Sequence, residues 1–201
     1  MIKGMNGKNH TKSYMQTAKN EQFIIGADVI AYLTSVKHPM IMVDRIVHYS
    51  SNPLLLIAER YVSANEPAFL GHFPNMKLWP GIYTFEGLRQ SCFLLHILND
   101  LEKADLLKGL LELHNRQILR PHIDHKLCQS VINYLETKTM VDSDMYSSSI
   151  KFTEPVFAGC LITYHCMRDE NEPHSWSVKA LVDDRLIAKG RITQSFTVKS
   201  S

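Results

Sequence analysis

The sequence predicts a single α+β domain in which an antiparallel sheet packs against one buried helix. Segments rich in β-branched and aromatic residues both precede and follow a helical segment, residues 81–98. That segment is apolar on most of its sides, which is typical of a buried helix. The chain has 201 residues, 45% of them hydrophobic and 21% charged, enough for one sizeable core and marginal for two.

The elements before the buried helix follow in chain order. Residues 1–22 are polar and are expected to form a flexible tail, which leaves 23–201 for the folded domain. Residues 26–36 space their apolar side chains as a short amphipathic helix does. Two strands are predicted next, at 40–49 and 53–62, separated by the turn-forming sequence SSNP.

The elements after the buried helix are of two kinds. Residues from about 99 to 146 carry two further helical patterns. Their leucine-rich faces are expected to be buried against another surface. They are expected to lengthen or cap a pocket, or to bind a partner. The remainder reads as strands, and Val182-Asp183-Asp184-Arg185 predicts a tight turn between the last two.

Composition excludes several classes of function. A formal net charge of +2 gives no overall field of the kind that marks nucleic-acid binders. No window of about eighteen apolar residues exists, so no membrane span is predicted. The first residues lack the apolar core of a secretory signal, and a cytoplasmic protein is expected. The four cysteines form no C-x-x-C pair and are expected to be reduced, buried thiols.

The stretch GHFPNMKLWPGIYTFEGLRQ, residues 71–90, places one histidine before the buried helix and one glutamate inside it. Burying an ionised carboxylate without a partner costs several kcal/mol. Glu86 is therefore expected to face solvent, to find a partner, or to work as an acid. Gln90 follows one turn later on the same helix face, where its amide can hold the carboxyl group in one orientation.

Two further groups complete a possible reaction centre. The backbone N–H of Gly81 is among the first in the helix and has no intrahelical partner, so it can stabilise an oxyanion. His72 is of the residue type that exchanges protons near neutral pH. The elimination of water β to a thioester carbonyl needs a base, an acid and an oxyanion donor. Taken singly, a histidine before a turn is more often structural, and a helix glutamate is more often solvated.

Residues 62–90 resemble the 3-hydroxyacyl-[acyl-carrier-protein] dehydratases, FabZ-like proteins with the hot-dog fold. The family pattern is N-E-P-x-F-x-G-H-F-P, then P-G, then an acid fourteen residues after the histidine and a glutamine four later. The matching residues are Asn65, Glu66, Pro67, Phe69, Gly71, His72, Phe73, Pro74, Pro80, Gly81, Glu86 and Gln90. Residues 38–46 and 150–162 resemble two further segments of the family. A match of this length and spacing is specific.

The resemblance implies a hot-dog fold, in which an antiparallel sheet wraps a long central helix, and a dimer whose two sheets join. Residues 99–146 would then be a helical insertion. The acyl substrate would be delivered on the phosphopantetheine of an acyl carrier protein. No metal or tightly bound cofactor is implied. Neither a nucleic acid nor a membrane is expected as a partner, and the dimer is expected to be a homodimer or to pair with a related hot-dog subunit.

The resemblance also implies roles for the site residues. His72 of one subunit would remove the α-proton, and Glu86 of the other would protonate the departing hydroxyl. Gln90 would orient Glu86. The helix start at Gly81 and Ile82 would bind the thioester oxygen.

The pocket is expected to involve Phe73, Trp79, Phe85, Arg89 and Gly159. Arg89 stands where the family usually has a small or apolar residue. It is interpreted either as one half of a salt bridge or as a contact for a charged substrate or partner.

Alternative functions remain open at this stage. A hot-dog thioesterase would use a carboxylate on the central helix with water and would not need the histidine. A partner subunit of a heterodimeric dehydratase would be expected to have lost His72 or Glu86, whereas this chain retains both. His122 and His125 invite a metal interpretation, but without a third ligand they are more typical of solvated residues. The insertion suggests a specialised pathway, such as polyketide or polyene synthesis.

Overall fold

The computed structural model describes residues 25–34, 36–73, 75–111, 130, 131, 133, 134, 138–172 and 174–200. The predicted N-terminal tail, Pro74 of the motif and residues 112–129 of the predicted helical insertion, which include His122, His125 and Cys128, lie outside these ranges.

Within the described ranges, six strands form one antiparallel sheet. They are β1 (Arg45–Ser51), β2 (Leu54–Tyr61), β3 (Lys138–Phe152), β4 (Leu161–Arg168), β5 (Ser175–Val182) and β6 (Arg185–Ser200). Their order across the sheet is β1-β2-β4-β5-β6-β3, and every neighbouring pair is antiparallel. The predicted turn between β5 and β6 is confirmed. Asp183 and Asp184 have φ of 49° and 63°, the left-handed conformation that a tight hairpin turn requires.

Helix α1 spans Ala27–Leu33, and helix α2 spans Gly81–Lys103. Helix α2 is the predicted buried helix and packs across β2 and β4. Its residues Leu88, Leu94 and Leu98 are fully buried in the core. A long central helix wrapped by an antiparallel sheet is the α+β hot-dog arrangement that the sequence predicts.

The largest differences from the sequence prediction concern three boundaries. Helix α2 continues past residue 98 to Lys103, because Leu101 is still fully buried in the core. Strand β3 begins at Lys138, within the predicted insertion, because β6 is long enough to pair with it from that residue. The segment between α2 and β3 is therefore 104–137. Its described residues 107–111, 130, 131, 133 and 134 are helical and fall within the two helical patterns that the sequence predicts there.

The predicted strand from residue 40 to 49 begins only at Arg45. The backbone N–H of Met42 is donated to the side chain of Gln90 on α2 rather than to a neighbouring strand. Met40 and Met42 therefore bond to the central helix, and pairing with β2 begins only at Asp44, whose backbone N–H donates to the carbonyl of Glu59.

Helix α2 approaches the sheet most closely at Gly87. A Cβ atom added there would lie 2.3 Å from the hydroxyl oxygen of Tyr164, a fully buried residue of β4. Farther along the same two elements, the Sγ atoms of Cys92 and Cys166 lie 3.2 Å apart as free, buried thiols. The absence of a side chain at Gly87 lets the first half of α2, which carries the candidate site residues, lie directly on β4.

In the part of the chain that the structure describes, no helix is both long and apolar enough to cross a membrane.

Candidate active site

His72 lies in the loop between β2 and α2, directly after a 3-10 helix (Pro67–Leu70). Its backbone N–H donates to the carbonyl of Ala68 at 3.1 Å. Its Nδ1 atom lies 3.0 Å from the carbonyl oxygen of Leu78. A carbonyl oxygen can only accept, so Nδ1 carries the hydrogen and Nε2 of the neutral ring has a free lone pair. The ring of Phe73 stacks on the imidazole with centroids 4.6 Å apart.

The imidazole lines a pocket of about 330 Å³ beside the start of helix α2. Three parts of the chain supply its walls: the His72 loop, the first turn of α2, and the segment that follows β3. The lining residues are His72, Leu78, Trp79, Gly81, Thr84, Phe152, Thr153, Glu154, Pro155, Val156 and Ile187. This pocket therefore joins a potential base to a helix N-terminus.

The start of α2 is open to this pocket. Pro80 is the N-cap residue, and no side chain caps the helix among the described residues. A Cβ atom at Gly81 would lie 3.3 Å from the ring of Phe152, so a side chain would crowd the wall of the pocket. Ile82, the next residue, is 63% exposed and points away from the core. Uncapped N–H groups at a helix start favour an anionic oxygen nearby.

Glu86 lies one turn farther along α2 and is held by two neighbours on the same helix. Arg89 Nε donates to Glu86 Oε2 and Arg89 Nη2 donates to Glu86 Oε1, each at 2.8 Å. Gln90 Nε2 donates to Glu86 Oε1 at 2.9 Å. The side chains of Arg89 and Glu86 are only 14% and 17% exposed. The carboxyl group thus accepts three hydrogen bonds in a partly dehydrated environment.

Gln90 is itself fixed by the backbone of the extended segment before β1. Its Oε1 accepts the N–H of Met42 at 2.8 Å, and its Nε2 also donates to the carbonyl of Met40 at 2.7 Å. The residue is 1% exposed. The amide cannot turn over without breaking these bonds, so it presents its N–H group to Glu86 in one orientation.

The predicted site residues fall into two groups in one protomer. His72, Trp79 and Gly81 line the pocket, whereas Glu86, Arg89 and Gln90 form a separate cluster on α2. Glu86 is not among the described residues that line this pocket.

The remaining predicted residues lie around these two groups without lining the pocket. Phe73 is 50% exposed, and Phe85 is half-buried against the core. Gly159 precedes β4 in a turn, where its φ of +89° requires glycine, and its N–H donates to the carbonyl of Val62. Its position indicates a role in the turn.

Sequence reasoning missed the support of the His72 loop. Arg60 of β2 donates to Asp44 and to Glu66, each at 2.6 Å, and its guanidinium lies 5.9 Å from the ring centroid of Trp79. Trp79 itself is buried, 3% exposed. The acidic residues Glu66 of the N-E-P motif and Asp44 before β1 can be found in the sequence. That both bind Arg60 is seen only in the structure.

Metal binding has no support in the described part of the chain. No group of three or more His, Cys, Asp or Glu side chains is placed there to hold an ion. His122 and His125 lie outside that part.

Comparisons with known proteins agree with this architecture. A family model described as a FabA-like domain matches residues 35–121. The 3-hydroxyacyl-[acyl-carrier-protein] dehydratase FabZ of Chlamydia trachomatis serovar L2 is 35% identical over 106 residues, which are 51% of this chain and 69% of that protein. The FabZ of Helicobacter acinonychis is 26% identical over 180 residues, 89% of this chain and 95% of that protein.

Among solved structures, the chain resembles one titled "The Dehydratase Heterocomplex ApeI:P from Xenorhabdus doucetiae". The TM-score is 0.41 and the identity 16%, over 74% of this chain and 95% of that chain, a likeness too weak to bear on function.

The fold and its helix-borne carboxyl cluster define a hot-dog protein with a pocket at the start of the central helix. The sequence identity to the FabZ proteins specifies the family within the hot-dog fold. The chain belongs to the family of FabZ-like 3-hydroxyacyl-[acyl-carrier-protein] dehydratases.

Proposed function

We propose that this protein removes water from a 3-hydroxyacyl thioester carried on an acyl carrier protein and releases the trans-2-enoyl thioester. Its membership of the FabZ-like family supports this reaction. The observation that carries the proposal is the pocket that joins the imidazole of His72 to the N-terminus of α2 at Gly81. Elimination needs a base and an oxyanion-stabilising donor that contact the same substrate molecule, and this pocket offers both groups.

The base in this scheme is Nε2 of His72. The Leu78 carbonyl fixes the hydrogen on Nδ1, which leaves Nε2 free to take the proton from the α-carbon of the substrate. The negative charge that develops on the thioester oxygen is stabilised by the free N–H groups at the start of α2. The carbon–oxygen bond to the β-hydroxyl then breaks as the protonated form of Glu86 gives its proton to the departing oxygen; water leaves, Glu86 becomes a carboxylate, and the α-proton stays on His72.

The acid is proposed to come from a second subunit. Within one protomer Glu86 is not among the residues that line the His72 pocket, which supports a site that a partner subunit completes. Strand β3 is an edge of the sheet, with β6 as its one neighbour among the described strands, and free edges pair readily. Large apolar side chains near His72 are also exposed, namely Leu70 at 88%, Met76 at 47% and Ile82 at 63%. These features support a dimer.

The substrate carrier is proposed to be an acyl carrier protein, since the FabZ relatives are named for substrates on that carrier. The chemistry assigned to His72, Glu86 and the helix start moves two protons and breaks one carbon–oxygen bond without net oxidation or reduction, so no redox cofactor and no metal are proposed. A pathway that builds fatty-acid-like or polyketide chains in the cytoplasm would supply such a substrate.

The test is direct observation of the reaction. Purified protein is incubated with 3-hydroxyacyl carrier protein, and the loss of one water is followed by mass spectrometry. Activity is expected in the parent and near-complete loss in His72→Ala and Glu86→Gln. The matched controls are His174→Ala and Glu170→Gln, which change exposed residues between β4 and β5. Activity that survives both site substitutions would refute the mechanism, and release of free acid would indicate a thioesterase.

A mixing experiment tests whether the site is shared between subunits. His72→Ala and Glu86→Gln proteins are each expected to retain only a small residual activity alone, but random mixed dimers leave about one quarter of all sites intact. Recovery of that fraction of activity is expected after the two variants are unfolded and refolded together. If each protomer contained a complete site, no intact site would form and the mixture would stay inactive.

A further inference from the structure

We propose that Arg89 is a positioning residue of the dehydration site, which fixes the carboxyl group of Glu86 so that Oε2 is the oxygen that meets the β-hydroxyl of the substrate. This inference rests on the proposed function. At position 89 this chain has arginine where the family usually has a small or apolar residue. In this role Arg89 acts through its salt bridge to Glu86 and does not contact a charged substrate.

The contact between the two side chains is bidentate. Arg89 Nε and Nη2 donate to different oxygens of Glu86, both at 2.8 Å, across an i,i+3 spacing on α2. Two parallel hydrogen bonds fix the plane of a carboxyl group, which a single bond does not. Both side chains are less than one fifth exposed, so water competes weakly for these bonds.

Counting acceptor positions identifies the oxygen that is left for the substrate. A carboxylate offers about four lone-pair sites, two on each oxygen. Among the described residues, Oε1 of Glu86 receives both Arg89 Nη2 and Gln90 Nε2, whereas Oε2 receives only Arg89 Nε. One site therefore remains, on Oε2, and a proton exchanged with the substrate hydroxyl passes through it.

The chain gives Gln90 and Arg89 different tasks in this arrangement. Gln90 is attached to the backbone at Met40 and Met42, so it fixes the position of Oε1 relative to the fold. Arg89 adds the second bond to Oε1 and the bond to Oε2, which stops rotation about the axis that Gln90 leaves free. A lysine at position 89 would keep the charge but lose the planar fork.

The test is a double-mutant cycle on the full-length protein with Arg89→Met, Glu86→Gln and the double variant. Arg89→Met is expected to lower kcat about 10- to 100-fold, the scale of a reacting group that is misplaced by about 1 Å, with little change in KM. In the Glu86→Gln background the same substitution is expected to change kcat less than about twofold, because its effect passes through Glu86.

Two other variants complete the design. Arg45→Met is the matched control, since Arg45 pairs with Glu59 on the exposed surface of β1 and β2, away from α2. It is expected to keep parental kcat and KM. Arg89→Lys preserves the charge and most of the packing, and it is expected to recover only part of kcat. If Arg89→Met fails to fold, as judged by circular dichroism, the same cycle is carried out with Arg89→Lys.

The outcomes separate this inference from the proposed function. A parent protein that releases no water refutes the proposed function, and the role of Arg89 fails with it. An active parent whose kcat is unchanged by Arg89→Met refutes the inference alone. An increase confined to KM, or losses that multiply in the double variant, would mean that Arg89 contacts the substrate directly and would also overturn it.

Discussion

The Oε1 atom of Gln90 accepts a hydrogen bond from the backbone N–H of Met42, 48 residues earlier in the chain. This bond joins the central helix to the extended segment before β1, and it replaces the strand pairing that the sequence predicts for that N–H group. The same amide holds Glu86 through its nitrogen. The residue therefore serves both the fold and the candidate site.

Gln90→Leu is expected to reduce both stability and activity. The substitution leaves the buried N–H of Met42 without an acceptor, which costs about 1–3 kcal/mol in the free energy of unfolding. It also removes one of the three donors to Glu86, so kcat should fall even where the protein is folded. Urea unfolding and the water-loss assay measure the two effects. Parental stability in this variant would show that the Met42 N–H finds another acceptor.

Gly87→Ala is expected to destabilise the fold strongly. The new Cβ atom would lie 2.3 Å from the Tyr164 hydroxyl oxygen and 2.4 Å from the ring carbon that bears it, so helix and sheet must move apart. Overpacking of this kind costs about 1–3 kcal/mol, sometimes more. The control is Gly71→Ala, where nothing lies within 4 Å of the added atom and φ is −128°. Equal unfolding midpoints for the two variants would contradict the close approach of α2 to β4.

Tyr164→Phe is expected to leave stability unchanged or to increase it. The hydroxyl is fully buried and has no hydrogen-bond partner among the described residues. Burial also raises the pKa of this phenol far above its ordinary value. Removing a buried group that lacks a partner removes its desolvation penalty, so the change should lie within about 0.5 kcal/mol of the parent or above it. A loss greater than 1 kcal/mol, measured by chemical unfolding, would indicate that the hydroxyl has a partner.

Stability is expected to fall in mild acid because of His165 on β4. Burial, reinforced by the positive charge of Lys179, lowers the pKa of His165 from 6.5 to about 4 in the folded protein. Between pH 6.5 and about pH 4, the imidazole of His165 is therefore protonated in the unfolded chain but neutral in the folded protein. The free energy of unfolding should decrease as the pH falls through this window and receive no further loss from His165 below about pH 4.

The measurement compares urea unfolding of the parent and of His165→Gln at about pH 7 and about pH 5. The variant should lose less stability between the two conditions than the parent does. His174→Gln, at an exposed position, is the control and should follow the parent. An identical pH slope in the parent and in His165→Gln would rule out the contribution of this residue.

Local patterns predicted most of the framework. The apolar run of α2, the strands β2, β4 and β5 and the turn at Asp183-Asp184 all depend on neighbouring residues, so periodicity and turn chemistry were sufficient to identify them. The boundaries of α2, β1 and β3 depend on distant partners. Lys138 is in a strand because β6 extends far enough to pair with it, and no local signal in residues 138–146 contains that information.

The candidate site divides in the same way. The spacing of Glu86 and Gln90 is local and predicted their contact, whereas the attachment of Gln90 to Met40, 50 residues away, requires the fold. For Arg89 the sequence left two interpretations, because an i,i+3 spacing permits an ion pair but does not fix the rotamers. The structure shows the ion pair.

The short extended segment 40–44 has a consequence for the assembly. Met40 and Met42 anchor Gln90, and hence Glu86, while Asp44 anchors Arg60, and hence the loop that carries His72. In the proposed dimer, each protomer contributes the imidazole of His72 to one reaction centre and the carboxyl group of Glu86 to the other. A local distortion of these five residues in one subunit would then disturb both reaction centres of the dimer. Neither centre would keep its full activity.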